Sequence, residues 1–127
     1  MENIAIVDTS VLIDFYRKIN KNNSFFFHLA NKFQGYGVSV VTHYEIFIGG
    51  KNLFFENLFN DFIIFPYSLS LNDTAIKIKL DLKKKRKSIE FQDLIIAATA
   101  LSHNLPLATL NRKHFELIDG LKLEVPG

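Results

Sequence analysis

The apolar positions fall into short unbroken runs separated by longer amphipathic stretches. The runs are IAIV at 4–7, VSVV at 38–41, FIIF at 62–65 and PLATL at 106–110, with a weaker LKLEV at 121–125. Runs of this length without alternation predict strands buried on both faces of a parallel sheet. Between them, apolar residues recur at helical spacing behind recognisable starts. Asp8 is placed to cap TSVLIDFYRK, Thr42 and Glu45 form a capping-box pair, and Ser88 precedes IEFQDLIIAATALSH at 89–103. Asn111 is placed to cap RKHFELI, with Leu110 and Phe115 spaced as a hydrophobic staple. AIKIKLDLK at 75–83 alternates with period two, yet its place between FIIF and the 89–103 segment predicts a helix. Strands alternating with helices predict an α/β fold, a three-layer sandwich with a central parallel sheet of four or five strands flanked by helices.

The chain has 127 residues, no internal repeat and no Pro- or Gly-rich linker, so one domain spanning 1–127 is expected. With 48% hydrophobic and 22% charged residues and a mean hydropathy of +0.11, it reads as a compact globule. The thirteen phenylalanines read as core filling. No apolar run approaches the roughly 18 residues of a membrane span. MENIAIVD enters a strand directly, with no basic n-region and no apolar segment of signal length, so a cytoplasmic location is expected. The absence of cysteine removes disulfides and thiolate metal sites, and any metal must be held by oxygen or imidazole. The net charge is only +2, but five cations are packed into KKKRK at 83–87.

Three carboxylates then stand out. Asp8 sits at the carboxyl end of the first strand, where open parallel sheets gather their ligand sites; its plainer reading is a helix cap. Glu45 has an equally plain reading inside the capping box. Asp93 shares the stripe of Ile96, Ala97 and Ala100, so a carboxylate faces inward, and burying an ionised carboxylate costs several kcal/mol unless it is paired or metal-bound. A buried Lys or Arg is the alternative partner. Glu90, one turn earlier, suits the helix dipole. If the three acids share one pocket, they repel one another unless a divalent cation holds them ionised, and an oxygen cage of that kind suits Mg²⁺ or Mn²⁺.

IVDTSVLID at 6–14, the Glu of HYEIFIG at 43–49, IEFQDLIIAATA at 89–100 and LPLATLNRKHF at 105–115 together resemble the PIN-domain ribonucleases, in order and spacing. The nearest likeness is to the VapC-type toxins of toxin-antitoxin operons. The resemblance implies a PIN-like fold and Mg²⁺-dependent endonuclease activity on RNA. It matches Asp8, Glu45 and Asp93 to the family's first three acids, all metal ligands, and Thr109 and Asn111 to its T-x-N segment. Ser10 falls where a hydroxyl supports the first acid. Two departures stand out: His114 occupies the place of a fourth acid, and Arg86 replaces a glycine ahead of the catalytic helix. The family also implies a homodimer and a cognate antitoxin protein, while the short apolar runs imply no membrane partner.

The reaction implied is metal-assisted phosphodiester hydrolysis, with Asp8, Glu45, Asp93 and Asn111 as the acting residues. His114 has two readings, as a phosphate or metal contact and as a structural residue. Lys83, Lys84, Lys85, Arg86 and Lys87 are either RNA-backbone contacts or a solvated helix end. Two rival functions remain. One is a non-catalytic PIN module that binds RNA or a protein. The other is a phosphoryl-transfer domain of the receiver or haloacid-dehalogenase type using Asp8, which the Ser at position 10 and the lack of a late Lys-Pro pair disfavour.

Overall fold

The computed structural model describes residues 3–127. Its five strands are β1 (Ile4–Val7), β2 (Gly35–Ser39), β3 (Phe62–Phe65), β4 (Leu107–Ala108) and β5 (Leu123–Glu124). Every pairing is parallel and the spatial order is β3-β2-β1-β4-β5, so β1 lies at the centre. The helices are α1 (Thr9–Arg17), α2 (Phe25–Leu29), α3 (Val40–Phe47), α4 (Leu53–Phe59), α5 (Leu69–Lys84), α6 (Phe91–Ser102) and α7 (Arg112–Phe115), with a 3₁₀ turn at Lys21–Asn23. No helix among the described residues is long and apolar enough to cross a membrane.

Two apolar clusters cover the two faces of the sheet. Ile6 and Leu107 face a cluster built from α5, α6 and α7, while Val7, Val38 and Ala108 face one built from α1, α2 and α4. Successive residues of β1 therefore enter opposite cores, and the expected three layers are present. Much of the phenylalanine complement fills the second cluster, where Phe26, Phe55 and Phe59 are buried. Burial on both faces fails for β3: Ile63 and Ile64 are exposed because β3 is an edge strand, with only β2 beside it.

Several boundaries differ from the sequence reading. The run VSVV is not a strand over 38–41. β2 begins at Gly35 and ends at Ser39, whose hydroxyl accepts from the Val41 N–H and starts α3. The strand opens on Gly35-Tyr36-Gly37, which no apolar pattern reveals; Gly37 is required there, since a Cβ would lie about 2.5 Å from the Phe65 ring. Thr42 consequently sits inside α3 and is not a cap. Glu90, not Ser88, occupies the cap position of α6, with no side-chain cap bond. PLATL contributes only Leu107 and Ala108 to the sheet. The 75–83 segment is helical as expected, with Ala75, Ile78 and Leu82 buried on one face of α5.

α5 ends in a Schellman motif. The Lys87 N–H donates to the Leu82 carbonyl at 2.9 Å and Arg86 takes a left-handed conformation at φ +59°. α6 ends the same way at Asn104, φ +57°, with Leu105 N–H donating to the Ala100 carbonyl.

Candidate active site

The carboxyl ends of β1, β2 and β4 open onto one groove of about 630 Å³, whose lining includes Asp8, Glu45, Asp93, Ser10 and Asn111. Asp8 follows β1 directly, and its backbone N–H donates to the Ala108 carbonyl, which extends the β1–β4 ladder by one residue. Its side chain makes no cap bond to α1. Asp8 Oδ2 accepts instead from Ser10 Oγ at 2.8 Å and from Thr109 Oγ1 at 2.7 Å. Asp8 is 3% exposed and holds the N-cap position of α1 as expected, but its carboxylate is fixed by two hydroxyls and does not cap the helix.

Glu45 lies one turn into α3, and its Oε1 accepts from Thr9 Oγ1 at 2.7 Å, a hydroxyl also 3.0 Å from Thr42 Oγ1. The capping-box reading of Thr42 and Glu45 is thereby replaced: both residues are tied across to the first turn of α1. Thr9 is a site residue that sequence reasoning missed. Its only signal was adjacency to Asp8.

Asp93 projects from the first turn of α6, with His114 Nδ1 at 3.0 Å from its Oδ2. Burial holds the Asp93 carboxyl above its ordinary value, the negative charge of Asp8 raises it further, and Glu90 adds to the rise; His114 opposes these effects through charge and hydrogen bonding. Among the described residues no Lys or Arg is paired with Asp8, Glu45 or Asp93, so the neutralising internal cation is not found and an imidazole stands there instead. Asp8 and Asp93 each engage Oδ2, and Oδ1 of each has no protein hydrogen bond among the described residues.

The fit to a metal follows from this donor set. Among the described residues no three Asp, Glu or His side chains come together closely enough to hold one ion. The expected three-acid cage is therefore not found: Asp8 and Asp93 form a pair in which one charge acts on the other, and Glu45 lines the same groove. Such a pair does not offer the three or four protein ligands of a zinc centre. It suits a hard divalent cation that keeps several waters and binds through one or two carboxylates.

Asn111 lines the groove, but its side chain does not cap α7. Its backbone N–H donates to Thr109 Oγ1 at 2.9 Å, so the T-x-N segment turns on that hydroxyl. None of the five cations of KKKRK lines the groove. Lys85 is bonded to Asp81, Asp119 and the Leu117 carbonyl. The groove's own cations are Arg17, which ends α1, and Lys18 just after it, neither of which the sequence reading singled out.

A five-stranded parallel sheet of this order with carboxylates gathered at its carboxyl end defines the PIN-domain class, and residues 5–121 match the family model described as PIN domain. The chain is 34% identical to Ribonuclease VapC1 of Methanocaldococcus jannaschii, with 98% of this chain and 88% of that protein covered. It is 31% identical to Ribonuclease VapC1 of Rickettsia felis, with 93% and 92% covered. The chain belongs to the PIN-domain family, among the VapC ribonucleases. In fold it matches the crystal structure of DNA-bound VapBC from Salmonella typhimurium with a TM-score of 0.84 at 22% identity, covering 98% of each chain. The receiver and haloacid-dehalogenase readings fall with this assignment.

Proposed function

We propose that this chain is an endoribonuclease of the toxin type that hydrolyses RNA phosphodiester bonds with Mg²⁺, or Mn²⁺, held by Asp8 and Asp93. The observation that carries the proposal is the carboxylate pair itself: two acids that act on each other through space, one pushed up in pKa by burial and by the other, with no Lys or Arg paired to either among the described residues. Likeness to proteins named Ribonuclease VapC supports the activity. Likeness in fold to chains solved in VapBC complexes suggests a small antitoxin as partner. A homodimer and a cytoplasmic location accord with this reading.

A bound divalent ion supplies Lewis-acid polarisation of the phosphate and lowers the pKa of water. The chain's own residues do the rest. Ser10 and Thr109 donate to one oxygen of Asp8, fixing the carboxylate and leaving the other for the ion. His114 restrains Asp93 in the same manner. Thr9 keeps Glu45 at the groove, where it suits a water-mediated contact. The Asn111 amide, free of capping duty, is placed to orient a phosphate oxygen or water.

The test is incubation of the purified protein with end-labelled RNA and Mg²⁺ or Mn²⁺. Cleavage leaving 5′-phosphate and 3′-hydroxyl ends is expected, and EDTA or Asp93→Asn abolishes it while far-UV circular dichroism stays unchanged. Cleavage undiminished by either overturns the proposal. A second reading, a PIN module that binds without cutting, is favoured by one observation, the imidazole of His114 in the place of a fourth acid. RNA binding with no cleavage under either metal would decide for it.

A further inference from the structure

The groove floor is acidic, yet the substrate class proposed above is a polyanion. Phosphates on either side of the scissile bond meet repulsion from Asp8, Glu45 and Asp93 unless cations flank the acids. Cations do flank them. On one side α1 lines the groove and carries Arg17 in its last turn, with Lys18 at the C-cap. On the other, Asn111 is shared with an adjoining hollow of about 560 Å³ whose walls include Arg112, Lys113 and His114 of α7. Acids thus lie between two basic rims.

Within each rim one cation is committed and one is free. Lys18 pairs with Asp14 at 3.5 Å and Arg112 with Glu116 at 3.4 Å. Arg17 and Lys113 are exposed and have no ion-pair partner among the described residues. α1 rises about 1.5 Å per residue, so its last turn stands roughly 13 Å from Asp8, a separation on the scale of a nucleotide or two. KKKRK, by contrast, lines neither hollow.

We propose that single-stranded RNA crosses the carboxyl end of the sheet from the α1 rim to the α7 rim, with Arg17 and Lys113 each holding a backbone phosphate on opposite sides of the scissile bond. This rests on the ribonuclease reading. The two residues are positioning residues: they set the register of the strand over the carboxylates and carry no base information.

The test measures binding without cutting. In the Asp93→Asn background, anisotropy of a fluorescein-labelled single-stranded RNA is titrated across a series of KCl concentrations. Arg17→Ala and Lys113→Ala are each expected to flatten the log K against log salt slope by about 0.7, and the double variant by about 1.4, one lost phosphate contact apiece. Arg17→Lys, which keeps the charge, retains the parental slope, and so does Lys79→Ala on α5. An unchanged slope in Arg17→Ala and Lys113→Ala overturns the proposal and leaves these cations to an acidic protein partner. A slope that instead flattens on Lys84→Ala puts the strand on the basic run and overturns it equally. Cleavage by the parent protein is assayed separately. If the slopes respond as expected but nothing is cut, the nuclease reading fails and the RNA path stands.

Discussion

Thr109 Oγ1 donates to Asp8 Oδ2 at 2.7 Å across 101 positions of sequence, and the same hydroxyl oxygen accepts the Asn111 N–H at 2.9 Å. One buried threonine thus fixes the first acid and the turn that carries Asn111. Thr109→Val keeps the shape and removes both bonds, leaving a buried carboxylate short of a donor and a backbone N–H without its acceptor. A loss of about 1–3 kcal/mol in urea unfolding is expected, with RNA cleavage falling at least in proportion to the misplacement of Asp8. Thr109→Ser restores both bonds and should recover most of each.

Asp93 gives a prediction of opposite sign for stability. Its folded-state pKa is raised, so the ionised form destabilises the metal-free chain. That penalty is absent below the unfolded carboxyl value of about 3.9, where both states hold the proton, and complete above the raised folded value. In EDTA at pH 7, Asp93→Asn should therefore melt higher than the parent protein while losing activity. The gain should close as the pH falls toward about 4. A lower melting temperature at pH 7 would show that the bond to His114 outweighs burial and the charge of Asp8.

Metal addition should reverse this. An ion that binds only the folded chain adds about 2.7 kcal/mol of stability at a free concentration one hundred times its Kd. Calorimetric scans with Mg²⁺ or Mn²⁺ are expected to show a rising melting temperature in the parent protein and almost none in Asp8→Asn. Chelation should return the parent to its starting value.

The layers and the buried first strand were legible from the apolar runs, whereas the helix over 75–83 was legible only from its place between β3 and α6, against an alternation of period two. Asp93 was legible because a charge on an apolar stripe is costly and therefore conspicuous, Asp8 because it closes an apolar strand, and Glu45 only in company with them and through the family resemblance. What was not legible lay where tertiary contacts override local pattern. Gly35-Tyr36-Gly37 carries no apolar signal, and only its pairing with β1 and β3 makes it strand. Ile63 and Ile64 read as doubly buried because sequence does not show which strand stands at the edge. α2 and α4 are five and seven residues long, too short for periodicity, and their caps Ser24 and Asn52 emerge only in the structure. Thr9 looked like any first-turn threonine until α3 was laid beside it.

Arg86 illustrates the same limit with a usable consequence. It holds a left-handed conformation that glycine adopts without steric cost, at the position where the family resemblance places a glycine. Arg86→Gly is expected to stabilise the protein by up to about 1 kcal/mol in chemical denaturation, the strain relieved exceeding the entropy lost.

Gly37 makes the opposite case. It lies between Ile6 and Ile63 in the sheet, and an added Cβ meets the Phe65 ring at about 2.5 Å and the Ile63 carbonyl oxygen at 3.1 Å. Gly37→Ala should cost about 1–3 kcal/mol through overpacking, seen as an earlier urea midpoint with an unchanged slope.

The seam that joins the first strand to the fourth also sets when the protein becomes competent during its own synthesis. Asp8 leaves the ribosome first, and the hydroxyl that holds it and the amide beside it emerge a hundred residues after it. An interrupted translation product is therefore mute, and a chain cut between α6 and β4 should regain hydrolysis only when its two halves reassociate.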